Sequence, residues 1–176
     1  MSPSIDILVS SNLERLLYLK SKDSALVSDL MSSLKKDGIF RIDRKLSESI
    51  GEDFLAFFCD EEESGKTIRE YYDRYHYLID THTATAAAVA AKYESGYKKV
   101  ILATASPFKF AKDVYRCISG ENIDDGLEAM SVLSSFTGLE IPEDLAVLKD
   151  KVVRFSKVLE KDDKDSIIKE LEADNA

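Results

Sequence analysis

The sequence predicts a helix-rich α/β fold in which a short parallel sheet is covered by helices. Residues 54–59 and 99–104 are two apolar runs of strand length without polar alternation, which is typical of strands buried on both faces. Helical apolar spacing separates them, and strands joined through helices favour parallel pairing. Since sheets usually contain about four or more strands, we expect the missing strands to come from polypeptide outside this sequence.

The opening of the chain reads like the interior of a domain. An apolar run at residues 5–9 is closed by polar residues 10–12, and helical spacing begins immediately after them. No polar leader, signal peptide or transit peptide precedes this run. We therefore expect the 176 residues to have been taken from a longer protein.

Apolar spacing and capping residues predict three helices before the first apolar run. The first covers residues 13–20. Asp23 or Ser24 can cap the second, which ends at Gly38, a residue that tolerates positive φ. The third is a short helix over residues 46–51.

The remainder of the chain also reads as helical. The acidic residues 60–63 are expected to form a surface turn after the first strand. No linker rich in proline, glycine or serine divides the chain, so one compact piece over residues 1–176 is expected, with a charged helical tail that Asp162 and Asp163 can break. Helices are predicted over residues 67–77, 83–93 (rich in alanine), 108–118, 125–136, 142–148 (with Pro142 in the first turn) and, as that tail, 156–176.

Composition excludes several classes of partner. The formal charge is −9, from 33 acidic and 24 basic residues, and provides no basic face for nucleic acid or anionic membranes. No apolar run approaches the ~20 residues of a membrane span. Cys59 and Cys117 lie far apart and read as two reduced, buried thiols. We therefore expect a cytoplasmic protein.

Common catalytic motifs are absent. Residues 64–67, Ser-Gly-Lys-Thr, resemble the end of a phosphate-binding loop, but Asp60 stands where its first glycine belongs and carboxylates fill the loop. A helix start is the better interpretation. His76 and His82 lack zinc-ligand spacing with cysteine or acidic partners, so no metal site is predicted. None of the seven glycines forms a phosphate cradle.

Two segments remain unusual. Residues 80–83, Asp-Thr-His-Thr, precede the alanine-rich helix, whose start could bind an anion or simply be a capped core helix. Residues 103–107, Ala-Thr-Ala-Ser-Pro, follow the second predicted strand. Ligands bind at the carboxyl ends of strands in open α/β sheets, although a plain strand and turn is an equal alternative.

Together these segments resemble threonine synthase. Residues 2–15 are similar to a segment in the middle of that family, residues 80–84 to its Asp-Pro-His-Thr-Ala, and residues 103–110 to its Ala-Thr-Ala-His-Pro-x-Lys-Phe. Order and spacing agree over nearly all of residues 1–160.

The resemblance implies the C-terminal part of the large domain of a fold type II lyase that depends on pyridoxal 5′-phosphate. Such an enzyme converts O-phospho-L-homoserine and water to L-threonine and phosphate, the last step of threonine biosynthesis. The Schiff-base lysine and the glycine-rich phosphate loop of the family have no counterpart here, and the nearest match to the lysine motif is residues 111–113, Ala-Lys-Asp. We therefore expect this chain to be inactive alone, with no catalytic residue and no bound cofactor.

The resemblance also implies roles for single residues. Thr104 matches the hydroxyl that the family places against the pyridine nitrogen of the cofactor. A neutral hydroxyl does not force protonation of that nitrogen, so the cofactor withdraws electrons less strongly. Asn12 and Arg15 match an Asn-x-x-Arg of the substrate pocket, where arginine suits a phosphate. An asparagine cap beside an exposed arginine is the alternative for that pair.

Asp6, together with Ser4, is expected to shape the loop before the first helix. His82 and Ser106 are expected to hold the ligand-binding residues in place without contacting the ligand themselves. Two positions depart from the family, because Thr81 replaces proline and Ser106 replaces histidine. The second departure puts any acid–base role of that position in doubt.

Two other functions are weighed against the enzyme. A non-enzymatic helical interaction module would explain the charged tail and the poor sheet, and a nucleotide-binding protein rests only on residues 64–67. If strands are missing, exposed apolar surface also predicts self-association of the chain.

Overall fold

The computed structural model describes residues 9–152, 158–160 and 163–173. The chain divides into two compact units, Met1–Ile141 and Pro142–Ala176. The first unit contains seven described α-helices and one 3₁₀ turn: α1 (Ser11–Ser21), α2 (Ser24–Asp37), α3 (Arg44–Gly51), α4 (Glu61–Tyr75), α5 (Thr81–Lys92), the 3₁₀ turn Pro107–Phe110, α6 (Ala111–Ser119) and α7 (Gly126–Thr137). The second contains α8 (Glu143–Ala146), a 3₁₀ turn (Val147–Asp150) and α9 (Lys164–Ala173).

Helices α1 to α3 pack around a small core of their own. Helix α1 contacts both α2 and α3. The Lys20 ammonium also lies 2.6 Å from the Asp53 carboxylate, which ties the end of α1 to the end of α3. The buried core residues of this group are Leu17, Val27, Leu30 and Leu46.

Helices α4 to α7 form a second group. Helix α4 packs against α5 and α6, and α6 packs against α7. Ile68, Val114 and Leu133 are completely buried in these contacts. The small Ala84 and Ala87 on α5 are buried too, and their short side chains allow close approach of the neighbouring helix.

The predicted helices are largely confirmed, including the one that begins at Asp23, whose carboxylate caps α2, and ends at Gly38 with a φ of 73°. Pro142 precedes the first turn of α8 instead of lying in it. The predicted tail, residues 156–176, falls partly outside the described residues, and so does Asp162, where a break is expected. The described part of the tail contains α9. The single compact piece expected over residues 1–176 stays a prediction.

The surface turn predicted at residues 60–63 is wrong, because these residues start α4. The Asp60 carboxylate accepts a 2.8 Å hydrogen bond from the Glu63 N–H and caps the helix. Glu61, Glu62 and Glu63 occupy its first turn, where carboxylates are stabilised by the positive end of the helix dipole. The helix therefore begins before Thr67, where apolar spacing alone placed its start.

The two predicted strands are not confirmed. Residues 54–59 and 99–104 have no regular secondary structure, and the described part of the chain contains no β-ladder. Their side chains are exposed where burial was predicted, with Phe58 83% and Val100 85% accessible. A strand requires a partner backbone at its edge, and neither segment pairs with the other here. The confirmed architecture is therefore helical.

Candidate functional site

Asp80 organises the start of α5. It is 1% exposed, and its Oδ1 accepts hydrogen bonds from the N–H groups of His82 at 2.8 Å and Thr83 at 3.2 Å. Its Oδ2 accepts a hydrogen bond from the Thr83 hydroxyl. The first turn of α5 is thus capped by its own carboxylate, which occupies the amides that an anionic ligand would need.

Thr81 is buried within this turn. Its side chain is fully buried, and its hydroxyl has no hydrogen-bond partner among the described residues. Its carbonyl accepts from the Ser64 hydroxyl of α4 at 3.4 Å and from Thr85 at 3.2 Å. Thr81 therefore places a hydroxyl in a packed helix contact without a partner among the described residues.

His82 connects two of the segments that the sequence singles out. Its ring packs edge-on against the Phe110 ring, with centroids 4.7 Å apart and an interplanar angle of 74°. Phe110 ends the 3₁₀ turn that begins at Pro107, and Phe108 in the same turn is buried. The structure thus brings residues 80–84 and 103–110 together.

Thr104 and Ser106 lie just before that turn. Thr104 is exposed at the end of a segment without regular secondary structure. The Ser106 hydroxyl accepts a 3.3 Å hydrogen bond from the Phe108 N–H and caps the turn. Ser106 thus fixes the start of the 3₁₀ turn that follows Thr104.

Asn12 and Arg15 lie on the first turns of α1. The Arg15 Nη2 donates to Asn12 Oδ1 at 2.6 Å and to the Ser11 hydroxyl at 3.4 Å. Ser10, rather than Asn12, caps the helix by accepting from the Leu13 N–H. Arg15 borders an open groove of about 420 Å³, lined by Ser11, Glu14, Arg15, Tyr18, Ser24 and Val27.

The predicted site residues therefore divide between two helical groups. Asn12 and Arg15 belong to the group of α1 to α3, whereas His82, Thr104 and Ser106 belong to the segments beside α5 and α6. Asp6 and Ser4 lie outside the described residues, so the shaping role expected for them stays a prediction.

The nucleotide-binding interpretation of residues 64–67 has no structural basis, because these residues lie inside α4 and not in a loop. The Lys66 ammonium pairs with Glu62 at 2.6 Å, and the Thr67 hydroxyl donates to the Glu63 carbonyl at 2.8 Å. Lys112 is exposed on α6. Across residues 9–152, 158–160 and 163–173, no three His, Cys, Asp or Glu residues form a metal-binding cluster, and no helix is long and apolar enough to span a membrane.

A second groove, of about 530 Å³, lies between α4 and α6. Two of its three cations are paired with carboxylates, since Lys66 pairs with Glu62 and Arg116 lies 2.7 Å from Asp113. Burial, the largest effect, raises the pKa of the Cys117 thiol in its wall. The groove is lined by Glu61, Glu62, Gly65, Lys66, Arg69, Arg116 and Cys117.

Sequence reasoning missed two lysines at the end of α5. The Lys92 ammonium donates to the Phe58 carbonyl at 3.2 Å and pairs with Glu63 at 2.7 Å. The Lys99 ammonium donates to the Ala90 carbonyl at 2.5 Å. The Lys92 contacts cross 34 and 29 residues, so no local pattern could have revealed them.

Known proteins resemble this chain throughout the regions described above. Residues 83–168 match the family model described as threonine synthase, C-terminal. Human threonine synthase-like 1 is 35% identical over 141 residues, which cover 78% of this chain and 19% of the relative. Threonine synthase of Saccharomyces cerevisiae is 34% identical over 139 residues, which cover 68% of this chain and 27% of the relative. The chain thus spans about a fifth to a quarter of the length of these relatives.

Solved structures give the same result. The yeast threonine synthase structure aligns with a TM-score of 0.72 and 30% identity, covering 98% of this chain and 36% of that one. The structure of pyridoxal-phosphate-bound threonine synthase from Brucella melitensis aligns with a TM-score of 0.63 and 36% identity, covering 74% of this chain and 29% of that one. The chain belongs to the threonine synthase family and corresponds to the C-terminal region of its members.

Proposed function

We propose that this chain forms the C-terminal part of a threonine synthase, which converts O-phospho-L-homoserine and water to L-threonine and phosphate in the cytoplasm. The alignment with the yeast enzyme over 98% of the chain carries this proposal. The contact between residues 80–84 and 103–110 also supports this proposal. Both segments resemble the family, and they meet where the rings of His82 and Phe110 pack against each other.

Pyridoxal 5′-phosphate is the proposed cofactor, and it supplies an electron sink for the carbanions of this reaction. The side chain of Thr104 is exposed, so its hydroxyl is accessible to the pyridine nitrogen of a bound cofactor. Ser106 and the His82–Phe110 contact fix the turn that follows and so orient Thr104. A neutral hydroxyl at this position would not force protonation of the ring nitrogen, as a carboxylate would.

Arg15 is the proposed contact of the substrate phosphate. Its guanidinium borders an open groove, and one edge is already held by Asn12 and Ser11. A planar guanidinium fixed at one edge can still donate to a phosphate from its other N–H groups. Ser11 and Ser24 also line this groove and add hydroxyl groups that can donate to the same anion.

The isolated chain is proposed to be inactive. Lys112, the nearest match to the lysine motif of the family, is exposed on α6. It follows the segment that carries Thr104 in the chain. A short parallel sheet at residues 54–59 and 99–104, completed by other strands, is part of the same proposal. Without those strands, the segment that carries Thr104 lacks the neighbours that would fix it.

A chimaera tests the proposed function. The region of yeast threonine synthase that aligns with this chain is replaced by residues 1–176, and phosphate release and threonine formation are measured. We expect activity and pyridoxal-phosphate absorbance in the chimaera and neither in the isolated chain. Thr104→Val should perturb that absorbance, whereas Thr137→Val, which changes a threonine at the end of α7, should not. A folded chimaera that binds the cofactor but forms no threonine would contradict the proposal.

A further inference from the structure

The groove between α4 and α6, which we call the α4–α6 groove, has a volume of about 530 Å³, in the range of small-molecule sites. It shares no lining residue with the groove beside Arg15. Both helices contribute charged groups to its wall, so a ligand there meets carboxylates as well as cations. The charged residues are Glu61, Glu62, Lys66 and Arg69 of α4 and Arg116 of α6.

A notch separates the two signs of charge on α4. Glu61, Gly65 and Arg69 all line the groove and are spaced four residues apart, so they follow one another along one face of the helix. Their Cα atoms span about 12 Å, since a helix rises ~1.5 Å per residue. Because Gly65 has no side chain, this face is open between the carboxylate of Glu61 and the guanidinium of Arg69.

Two guanidinium groups line the groove from different helices. Arg69 is exposed and forms no ion pair within the part of the chain that the structure describes. Arg116 contacts Asp113 through Nη2, but a guanidinium has five N–H donors and can bind a second anion. Burial, the largest effect, raises the pKa of the Cys117 thiol, whereas the positive charges of Arg116 and Arg69 lower it. Both guanidinium groups therefore lie near the same sulfur atom.

The mixture of charges favours a zwitterion as the ligand. Glu61 and Glu62 repel a dianion such as phosphate, and the two arginines repel a simple cation. An α-amino acid carries a carboxylate and an ammonium group on one carbon atom. Its carboxylate suits a guanidinium, which binds such groups through two parallel hydrogen bonds. Its ammonium suits Glu61, because a carboxylate has about four acceptor sites and one contact does not exhaust them.

We propose that the α4–α6 groove binds a free α-amino acid, with its carboxylate between Arg69 and Arg116, its ammonium group toward Glu61 and its α-carbon in the notch at Gly65. A ligand in this position covers the Cys117 thiol in the groove wall. None of these residues takes part in the proposed cofactor or substrate contacts, so this inference does not depend on the proposed function.

Protection of Cys117 from alkylation tests the inference in the chain of 176 residues. The proteinogenic L-amino acids are added singly, and iodoacetamide labelling is followed by mass spectrometry. At a concentration of about ten times its Kd, at least one amino acid should slow the labelling of Cys117 by about tenfold. Cys59 is not among the groove residues and should react at an unchanged rate. Absence of protection by every amino acid, or equal protection of both thiols, would overturn the inference.

The two charges of the ligand are tested separately. The amine that lacks the carboxylate of the tightest amino acid, and the acid that lacks its ammonium group, should each bind about tenfold more weakly in calorimetric titrations. Equal binding by either analogue would contradict recognition of a zwitterion. Inorganic phosphate that protects Cys117 as well as the amino acid does would assign the groove to an anion instead.

Two variants test the residues. Arg69→Gln should weaken binding of the tightest amino acid about tenfold, because it removes a charged donor. Gly65→Leu should abolish binding by filling the notch, and leucine suits a helix better than glycine does. Arg44→Gln is the matched control, since Arg44 is an exposed arginine on α3. If Gly65→Leu does not fold, Arg69→Gln alone decides, and equal binding by Arg69→Gln and Arg44→Gln would refute the proposed site.

Discussion

The Nη2 atom of Arg15 lies 2.6 Å from the side-chain carbonyl of Asn12, one turn earlier on α1. The hydrogen bond is short for this pair of groups and uses the Asn12 carbonyl oxygen, so the amide N–H groups of Asn12 can still donate to an anion. Asn12 therefore positions Arg15 at the edge of the groove between α1 and α2.

Substitution of Asn12 tests this relationship in the active chimaera. Asn12→Ala leaves Arg15 charged but free to rotate, so KM for O-phospho-L-homoserine should rise about tenfold while kcat changes little. Arg15→Ala should have the larger effect. Ser33→Ala, on the neighbouring helix α2, is the control that should leave both constants unchanged. A fall in kcat with constant KM in Asn12→Ala would argue against a positioning role.

Thr81→Pro should stabilise the protein by about 1–2 kcal/mol. It removes the buried hydroxyl that lacks a described partner and restricts the unfolded chain. Proline suits the first turn of a helix, and Asp80 before it is already extended, with a ψ of 169°. The Thr81 carbonyl, which accepts from Ser64 and Thr85, is retained. Urea unfolding of the isolated chain gives the change in free energy of unfolding.

Thr81→Val separates the two contributions to that gain. It deletes the hydroxyl without restricting the backbone, so it should stabilise by about 1 kcal/mol. Loss of stability in both variants would mean that the hydroxyl has a partner in solution.

Asp80→Ala should destabilise the protein by about 2–4 kcal/mol. The substitution removes a helix cap and leaves the Thr83 hydroxyl buried without its acceptor. Asp60→Ala removes the corresponding cap of α4, but Asp60 is exposed, so its loss should cost only about 1 kcal/mol. Thermal unfolding of the two variants side by side checks the difference, and equal losses would refute a special contribution from burial.

Glu63→Gln should speed alkylation of Cys59 by about threefold at a pH below the thiol pKa. Burial raises the pKa of this thiol most, and the negative charge of Glu63 raises it further. Removing the charge lowers that pKa, so the fraction of reactive thiolate increases and the pH profile shifts to lower pH. Iodoacetamide labelling followed by mass spectrometry measures the rate.

Cys117 serves as the internal control for that experiment. Burial raises its pKa most, and the charges that shift it further are those of Arg116, Asp113 and Arg69. Its labelling rate should stay constant in Glu63→Gln. A uniform acceleration of both cysteines would instead indicate general loosening of the fold.

The sequence determined the helices and most of their ends. Asp23 and Gly38 bound α2 as expected, since a cap uses groups only a few residues apart and therefore leaves a local signal. The start of α4 was mistaken because apolar spacing gives no weight to Glu61–Glu63, although the helix dipole favours carboxylates there. The family segments were recognisable for the same reason, as contiguous runs of residues.

Only the tertiary structure decided how those segments meet and which apolar residues are covered. The His82–Phe110 contact and the Lys92 hydrogen bond to the Phe58 carbonyl join residues far apart in sequence, and no local periodicity encodes them. Residues 54–59 and 99–104 have the composition of strands. A strand, unlike a helix, completes its hydrogen bonds through a neighbouring backbone, so pairing depends on a partner that composition alone does not supply.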